Sequence, residues 1–341
     1  SNQKWQTNAS SFLNYTPNLQ TYDLNNVIIN PNDDSEWYVS SWRNGLFKCK
    51  NGIPVAHYDP KNSLLDSTTA GYTFVSGLAF DSKENLWMTN SYTSKMLKMM
   101  EPNGTWHEYN IGSGVITSDP KSVVAQHLLI DSRGYKWITY PRDDSYNKYH
   151  LVAFTDNGTY DNTGDDQFAR VDMNIKAEVN SSTVYCIAED LEGQMWIGTD
   201  KGIKVIANPS NVFKGTAYPQ NIILYQDGYY SVLFEFEEIT AIAVDGANRK
   251  WIGTSKAGVF LMSSDGQEQL LHFTADDNPL FSNQIVCITI DPQSGEVFFG
   301  TSKGVVSYRG SAITGKETYE DLLVFPNPVR HGYTGTVAVQ G

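Results

Sequence analysis

A short apolar run that ends in Asp or Asn, crosses a polar turn and restarts at a bulky aromatic recurs six times along this 341-residue chain. The clearest copies are Tyr185-Cys186-Ile187-Ala188-Glu189-Asp190 leading to Met195-Trp196-Ile197-Gly198-Thr199, and Ala241-Ile242-Ala243-Val244-Asp245 leading to Lys250-Trp251-Ile252-Gly253-Thr254. The anchors Trp37, Trp87, Trp137, Trp196, Trp251 and Phe298 are separated by 50, 50, 59, 55 and 47 residues. Self-similarity at a fixed period decides an architecture before any local propensity does. Strand-like units of about 50 residues have the length of four-stranded propeller blades.

Each unit reads as four strands, A to D. Strand A is a nearly continuous apolar run, such as Gly77-Leu78-Ala79-Phe80 or His127-Leu128-Leu129-Ile130, which implies burial between neighbouring blades. Asn30, Asp81, Asp131, Asp190, Asp245 and Asp291 close these runs; Asx side chains bond nearby amides and begin turns. Strand B starts at the anchor, whose apolar area would fill the wedge between blades. It runs into Gly-Thr at Gly198-Thr199, Gly253-Thr254 and Gly300-Thr301, where glycine would allow close backbone approach. Strand C follows Gly45, Gly202, Gly258 and Gly304. Strand D is read at Val55–Tyr58, Thr105–Tyr109, Phe168–Val171, Ile222–Tyr225 and Leu270–Phe273.

The sixth unit has no clear D, and the N-terminus offers Ser11-Phe12-Leu13-Asn14-Tyr15, a D-like strand with no A to C before it. The sequence therefore predicts an all-β propeller of four-stranded blades, six repeats visible, closed when that N-terminal strand pairs onto the last blade. A seven-bladed ring, with an irregular blade assembled from the two ends or from residues elsewhere, is the alternative. The propeller is expected over residues 1–322. Residues 323–341 carry Pro326-Asn327-Pro328 and then an alternating Thr336–Gln340, which reads as a junction and the first strand of a truncated C-terminal β-sandwich.

Charge narrows the partners. The formal net charge of −13 argues against a nucleic-acid partner and against a polybasic membrane contact. No apolar run is long enough for a transmembrane span. The chain opens on Ser1 with no signal peptide in front of it, as a mature or trimmed chain would. Three cysteines give no disulfide framework, and Cys186 and Cys287, at equivalent places in their units, read as small buried apolar residues.

Catalytic signatures are absent from the sequence: no HExxH, Walker loop, G-x-S-x-G elbow or EF-hand loop. His57, His107 and His272 recur in strand D as packing or surface residues, and turn capping explains the strand-end aspartates without a metal. No cofactor, metal or enzymatic activity is expected. The loops are more informative. In a propeller the D–A and B–C connections share one face, and here they carry the aromatics: Trp42 with Arg43 in blade one, Tyr72 and Phe74 before blade two, Tyr140 to Tyr149 after strand B of blade three, and Tyr229-Tyr230 with Phe234 and Phe236 before blade five. Exposed aromatic faces among Asp, Asn and Arg suit sugar or peptide recognition. The candidate ligand-binding residues are Trp42, Tyr140, Arg142, Tyr146, Tyr149, Tyr229 and Tyr230; a lid over the core is the competing role for each.

The Asp-turn-Trp-Ile-Gly-Thr-x-x-Gly-Ile unit resembles the two-component-regulator propeller repeat of Bacteroidetes surface and periplasmic proteins. The tail Val324-Phe325-Pro326-Asn327-Pro328-Val329-Arg330 resembles the junction between propeller and C-terminal β-sandwich in the PorZ-type family of the type IX secretion system, with His331 standing where that family usually has Pro. The resemblance implies a non-enzymatic binding or scaffold propeller at the cell envelope, in the periplasm or on the outer-membrane surface. Its partner would be a surface glycan or an envelope protein. A glycan-sensing periplasmic domain of a hybrid two-component system and a metal-dependent propeller lactonase or lyase are the alternatives.

Overall fold

The structure, a computed structural model, describes residues 23–111, 123–140, 151–173, 183–226, 228–277, 279–310 and 312–313, and the backbone of 323–325 and 338–340. Among them six antiparallel sheets follow one another as the blades of an all-β propeller. Blade one is β1 (Leu24–Asn30), β2 (Asp33–Ser41), β3 (Gly45–Lys50) and β4 (Ile53–Tyr58). Blade two is β5 (Val75–Phe80), β6 (Leu86–Asn90), β7 (Leu97–Met100) and β8 (Trp106–Tyr109). Blade three is β9 (Leu128–Ile130), β10 (Lys136–Thr139), β11 (Leu151–Thr155) and β12 (Gln167–Val171). Blade four is β13 (Val184–Glu189), β14 (Met195–Thr199), β15 (Gly202–Ile206) and β16 (Gln220–Asn221); a separate hairpin follows, β17 (Ile223–Gln226) and β18 (Tyr229–Val232). Blade five is β19 (Ile239–Val244), β20 (Lys250–Thr254), β21 (Val259–Met262) and β22 (Gln269–Phe273), and blade six has β23 (Ile285–Ile290), β24 (Glu296–Thr301) and β25 (Gly304–Arg309). β26 (Leu323–Phe325) pairs antiparallel with β27 (Ala338–Gln340). The closing strand expected at Ser11–Tyr15 lies outside the described residues.

One expected strand is corrected. Ile222–Tyr225 is not the outer strand of blade four: that role falls to β16, which pairs only with Lys204 and Val205. The chain then leaves the sheet, and Ile223–Gln226 turns back on Tyr229–Val232 through Asp227-Gly228. Asp-Gly between two strands is a two-residue hairpin signal, and Gly228 takes the positive φ of 86° that such a turn requires. Local turn chemistry outweighed the match to the repeat.

The aspartate that ends strand A is a clamp rather than a simple cap. In blades two to five one carboxylate oxygen accepts the N–H groups two and four residues on; for Asp190 these come from Glu192 and Gln194 at 3.0 and 2.9 Å. The other oxygen accepts the indole N–H of the anchor six residues on, Trp87 to Asp81 at 2.8 Å, and Trp137 to Asp131 and Trp196 to Asp190 at 3.0 Å. One side chain thus fixes the turn and the rotamer of the aromatic that fills the wedge. Blade five departs: Arg249 Nε takes that oxygen of Asp245, and the Trp251 indole N–H has no partner among the described residues.

Blades join through what flanks the anchor. Lys136, just before Trp137, lies over the Trp87 ring of the preceding blade at 4.1 Å, with its ammonium 2.5 Å from Asp156. Lys250, just before Trp251, lies 4.5 Å over Trp196 and reaches Asp190 at 3.0 Å. Met195 and Val297 hold the same position in blades four and six and pack with Trp137 and Trp251. The glycine after the anchor is demanded by the next blade: a Cβ on Gly198 or Gly253 would stand 2.8 or 2.5 Å from the Cγ2 of Ile239 or Ile285. The threonine beside it locks the B–C turn, Thr199 and Thr254 Oγ donating to the carbonyls of Gly202 and Gly258.

Blades one and six differ from the rest. β5 is buried over five of its six residues, whereas on β1 Val27 and Ile29 are 58% and 56% exposed, and on β23 Val286 is 59% exposed. Trp37 and Phe298 are only half-buried, whereas the other four anchors are buried. Inner strands pack β1 on β5, β5 on β9, β13 on β19 and β19 on β23, and blade three meets β13 through β10; no comparable packing of β23 on β1 is found among the described residues. The expectation that Cys186 and Cys287 are both buried holds for Cys186, covered by blade five with its thiol 3.6 Å from the Ile239 carbonyl. It fails for Cys287, which is exposed because no following blade covers its face among the described residues.

Asp190→Ala removes both turn bonds and the indole acceptor and leaves the Lys250 ammonium buried without its counter-charge, so it should cost about 3–5 kcal/mol in urea unfolding. Asp291→Ala, whose anchor Phe298 has no N–H to lose, should cost far less. Ellman's reagent should titrate Cys287 rapidly in the native protein, while Cys49 and Cys186, buried and with thiol pKa values pushed up to about 12 by that burial, should react only on unfolding.

Candidate functional site

The D–A and B–C connections lie on one rim of the propeller, and two groups of aromatics stand there. The first is the β17–β18 hairpin. Leu233 N–H donates to the Ile222 carbonyl at 2.9 Å and closes its base. Tyr225 and Tyr230 face each other across the two strands with ring centroids 4.8 Å apart. Tyr225, Tyr229 and Tyr230 are 64%, 78% and 77% exposed, and Phe236, just beyond, is 91% exposed. Phe234 turns the other way, against Phe260 at 4.9 Å, and its carbonyl closes over Gly202 of blade four. The hairpin is therefore pinned at its base and bare at its tip. Tyrosines held in a paired strand lose little further freedom on binding, which makes them efficient contact residues.

The second group lies on blades one and two. Trp42, half-buried, meets Phe74 edge-on at 5.3 Å, and Phe74 in turn meets Tyr72 at 6.0 Å and Tyr92 at 4.9 Å. Arg43 bridges Asp23 at 2.9 Å and lies 5.4 Å over the Tyr72 ring. Tyr140 belongs to neither group. It is buried in the cluster of Trp87, Tyr109 and Phe154, on the lid side of the choice that the sequence left open. Arg142, Tyr146 and Tyr149 lie outside the described residues. Tyr229 and Tyr230 are neighbours on β18 and both are exposed. Tyr225, which sequence reading assigned to a packed outer strand, is the residue missed, and the Asp-Gly turn was the signal for it.

The electrostatics of the hairpin rim are acidic. Glu235, Glu237 and Glu238 follow it directly. Tyr185 beneath hydrogen-bonds Glu238, and burial together with that carboxylate raises its pKa to about 12. Two strand-D histidines serve packing: His57 stacks on Phe47 at 4.7 Å and His272 on Phe260 at 3.9 Å, with Nε2 of each against a backbone carbonyl oxygen, while His107 instead meets the Glu101 carboxylate at 2.7 Å. Among the described residues no three His, Cys, Asp or Glu side chains group as a metal site would require, and no helix is long and apolar enough to cross a membrane. The opposite rim, formed by A–B and C–D turns, carries an acidic turn in blade three. There Asp156 and Asp166 each have a buried carboxylate oxygen without a hydrogen-bond partner among the described residues. Burial first, and then the Asp156 charge, push the Asp166 pKa up to about 6.

Residues 178–201 match the two component regulator propeller family, and the match falls on the fourth blade's A–B unit. Of solved structures, PorZ of Porphyromonas gingivalis, described as an essential bacterial surface component of the type IX secretion system, is similar over 92% of this chain with a TM-score of 0.75 and 27% identity. The chain spans 42% of that structure's length. The virginiamycin B lyase of Staphylococcus aureus is similar over 85% of both chains, with a TM-score of 0.56 and 13% identity, a likeness of fold alone. The extracellular domain of a hybrid two component system of B. thetaiotaomicron aligns over 88% of this chain and 42% of its own at 17% identity and a TM-score of 0.48. No curated protein has a matching sequence. One unit of the chain thus matches the two component regulator propeller repeat, and its fold is similar to that of PorZ over most of its length.

Because the folded-state pKa of Asp166 lies above its unfolded value, the native state holds the extra proton. The stability this gives is present at low pH and is lost as pH rises through about 6. Asp166→Asn should therefore raise the melting temperature at a pH of about 7.5, and the gain should shrink toward zero near a pH of about 4, read from thermal melts across that range.

Proposed function

We propose that this chain is a non-enzymatic binding and scaffold propeller of the bacterial cell envelope, an accessory of type IX secretion. It would engage a surface glycan or an envelope protein through the aromatic rim. The observation that carries the reading is the bare tip of the β17–β18 hairpin. Tyr225, Tyr229 and Tyr230 are held in register by backbone pairing and stand largely exposed, Tyr225 meeting only Tyr230 across the hairpin, next to a likeness to a secretion-system surface component over most of the chain. Large exposed aromatics on a fixed strand serve contact rather than stability. Glu235, Glu237 and Glu238 beside the hairpin favour uncharged sugar units or a basic protein surface over an anionic glycan.

The Trp42–Phe74–Tyr72 group on the same rim, with Arg43 over Tyr72, extends the contact face to blades one and two. Arg142, Tyr146 and Tyr149 belong to this proposal on sequence grounds, as does the assignment of residues 323–341 to a second domain.

The triple variant Tyr225→Ala/Tyr229→Ala/Tyr230→Ala should keep the melting temperature within a few degrees, because these side chains are exposed, and should lose about tenfold or more in affinity. The measurement is a pull-down from envelope fractions together with a glycan array, wild type against variant. Binding that survives the triple change would remove the hairpin from the site.

A further inference from the structure

The β17–β18 hairpin offers backbone groups as well as tyrosines. Leu233 N–H bonds the Ile222 carbonyl, and hydrogen-bonded pairs alternate along an antiparallel ladder. Leu224–Ser231 and Gln226–Tyr229 are therefore the pairs that exchange bonds, whereas at Tyr225–Tyr230 and Ile223–Val232 the backbone groups point out of the ribbon. Glu235 N–H donates to the Val232 carbonyl at 3.3 Å. Among the described residues β17 and β18 form a sheet of their own, and the Tyr230 N–H and C=O and the Val232 N–H have no partner.

Edges of this kind are ordinarily blunted by proline, charge or a register break. The outer strands of the blades follow that rule. β4 carries Pro54 beside a register shift, β8 carries His107 and Glu108, β12 carries Arg170, and the ladder of β22 is shifted. β18, Tyr229-Tyr230-Ser231-Val232, has no proline and no charge, and its pairing with β17 runs unbroken. Its first three residues are exposed. A two-stranded ribbon is marginal by itself, and this one is held at its base by Leu233 and by Phe234 against Phe260. It is a preformed template with its β18 side in solvent.

We propose that β18 accepts an extended, basic segment of a partner protein as a third strand, an inference that rests on the hairpin's being a contact surface. An extended polypeptide carries N–H and C=O groups at the spacing of those on β18, so main-chain bonds hold it and side chains select it. Strand alternation places Ile223, Tyr225, Tyr230 and Val232 on one face of the ribbon, where an added strand lays aliphatic or cationic side chains along the two tyrosine rings. Charge sets the sign. Glu235, Glu237 and Glu238 follow β18, and Asp200 lies on the neighbouring B–C turn, its carboxylate accepting Thr183 N–H. Lys201 and Lys256 stand on the turns that bond this segment, through Gly202 N–H to the Glu237 carbonyl and Ser255 N–H to the Glu238 carbonyl. These four carboxylates against two ammonium groups favour Lys and Arg in the incoming strand and disfavour Asp and Glu.

The test uses the full chain, the amide resonances of Tyr230 and Val232, and the probe acetyl-(Lys-Val)3-amide. The peptide is expected to shift both resonances with a Kd of about 1 mM or below. The same peptide N-methylated at every residue, which cannot pair on an edge, and acetyl-(Glu-Val)3-amide should each bind about tenfold or more weakly. Val232→Pro removes an outward N–H that the β17 ladder does not use, and should weaken the lysine peptide as much with unchanged melting temperature. Glu235→Lys/Glu237→Lys should weaken the lysine peptide and strengthen the glutamate one. Val232→Pro is also carried through the pull-down and glycan array: a ligand lost from the tyrosine triple variant but kept by Val232→Pro leaves the tyrosine site standing and overturns edge pairing. No binding of the lysine peptide, equal binding of the N-methylated or glutamate peptide, or binding undiminished in Val232→Pro would overturn it too. So would Tyr230 shifts that grow with protein concentration in the absence of peptide, the mark of a second copy on the edge.

Discussion

The carboxylate at the end of strand A is the constraint on which the rest of this propeller depends. A buried Asp would be a liability on its own, and burial does push the Asp131 carboxyl above its usual value. It is tolerated because both oxygens are hydrogen-bonded: two turn amides on one, an indole N–H on the other and, for Asp190, a lysine ammonium from the next blade. Each bond alone is modest. Together they tie the turn, the wedge aromatic and the neighbouring blade to one side chain, so none can move without the others.

The same arrangement explains why lysines occur at buried positions. Lys136 and Lys250 precede their anchors, and each spans the blade boundary to lie over the previous tryptophan. Burial lowers the Lys250 pKa while Asp190 pulls the other way, so desolvation is offset by an ion pair and an aromatic face. At the other boundaries the equivalent position is Leu86, Met195 or Val297. Polar and apolar solutions to the same contact coexist in one ring, which is why the repeat is regular in structure where it is degenerate in sequence.

Blade order, strand limits near the anchors and the aspartate turns were legible because they repeat: a side chain that serves the fold must recur wherever the fold recurs. The Asp–Trp bond itself was legible only as two separate signals, since a six-residue spacing does not reveal which oxygen meets which N–H. Departures were harder to read. Ile222–Tyr225 looked like an outer strand because its composition matched the others, yet Asp227-Gly228 redirected it. Cys186 and Cys287 looked equivalent because sequence carries no record of what covers a face. Of the expected contact residues, Tyr229 and Tyr230 are exposed and Tyr230 is paired with a third tyrosine, Trp42 sits in an aromatic group, and Tyr140 is buried. Exposure depends on neighbours that the local sequence does not name.

The bare faces of β1 and β23 bear on how the ring responds to stress. Blades two to five each have a partner on both sides, whereas blades one and six have one apiece among the described residues. A stack of units held by nearest-neighbour contacts loses its terminal members most easily. Val27 and Val286 are exposed on those two strands, so whatever surface seats itself against them gains leverage over the first and last blades and, through their neighbours, over the rest.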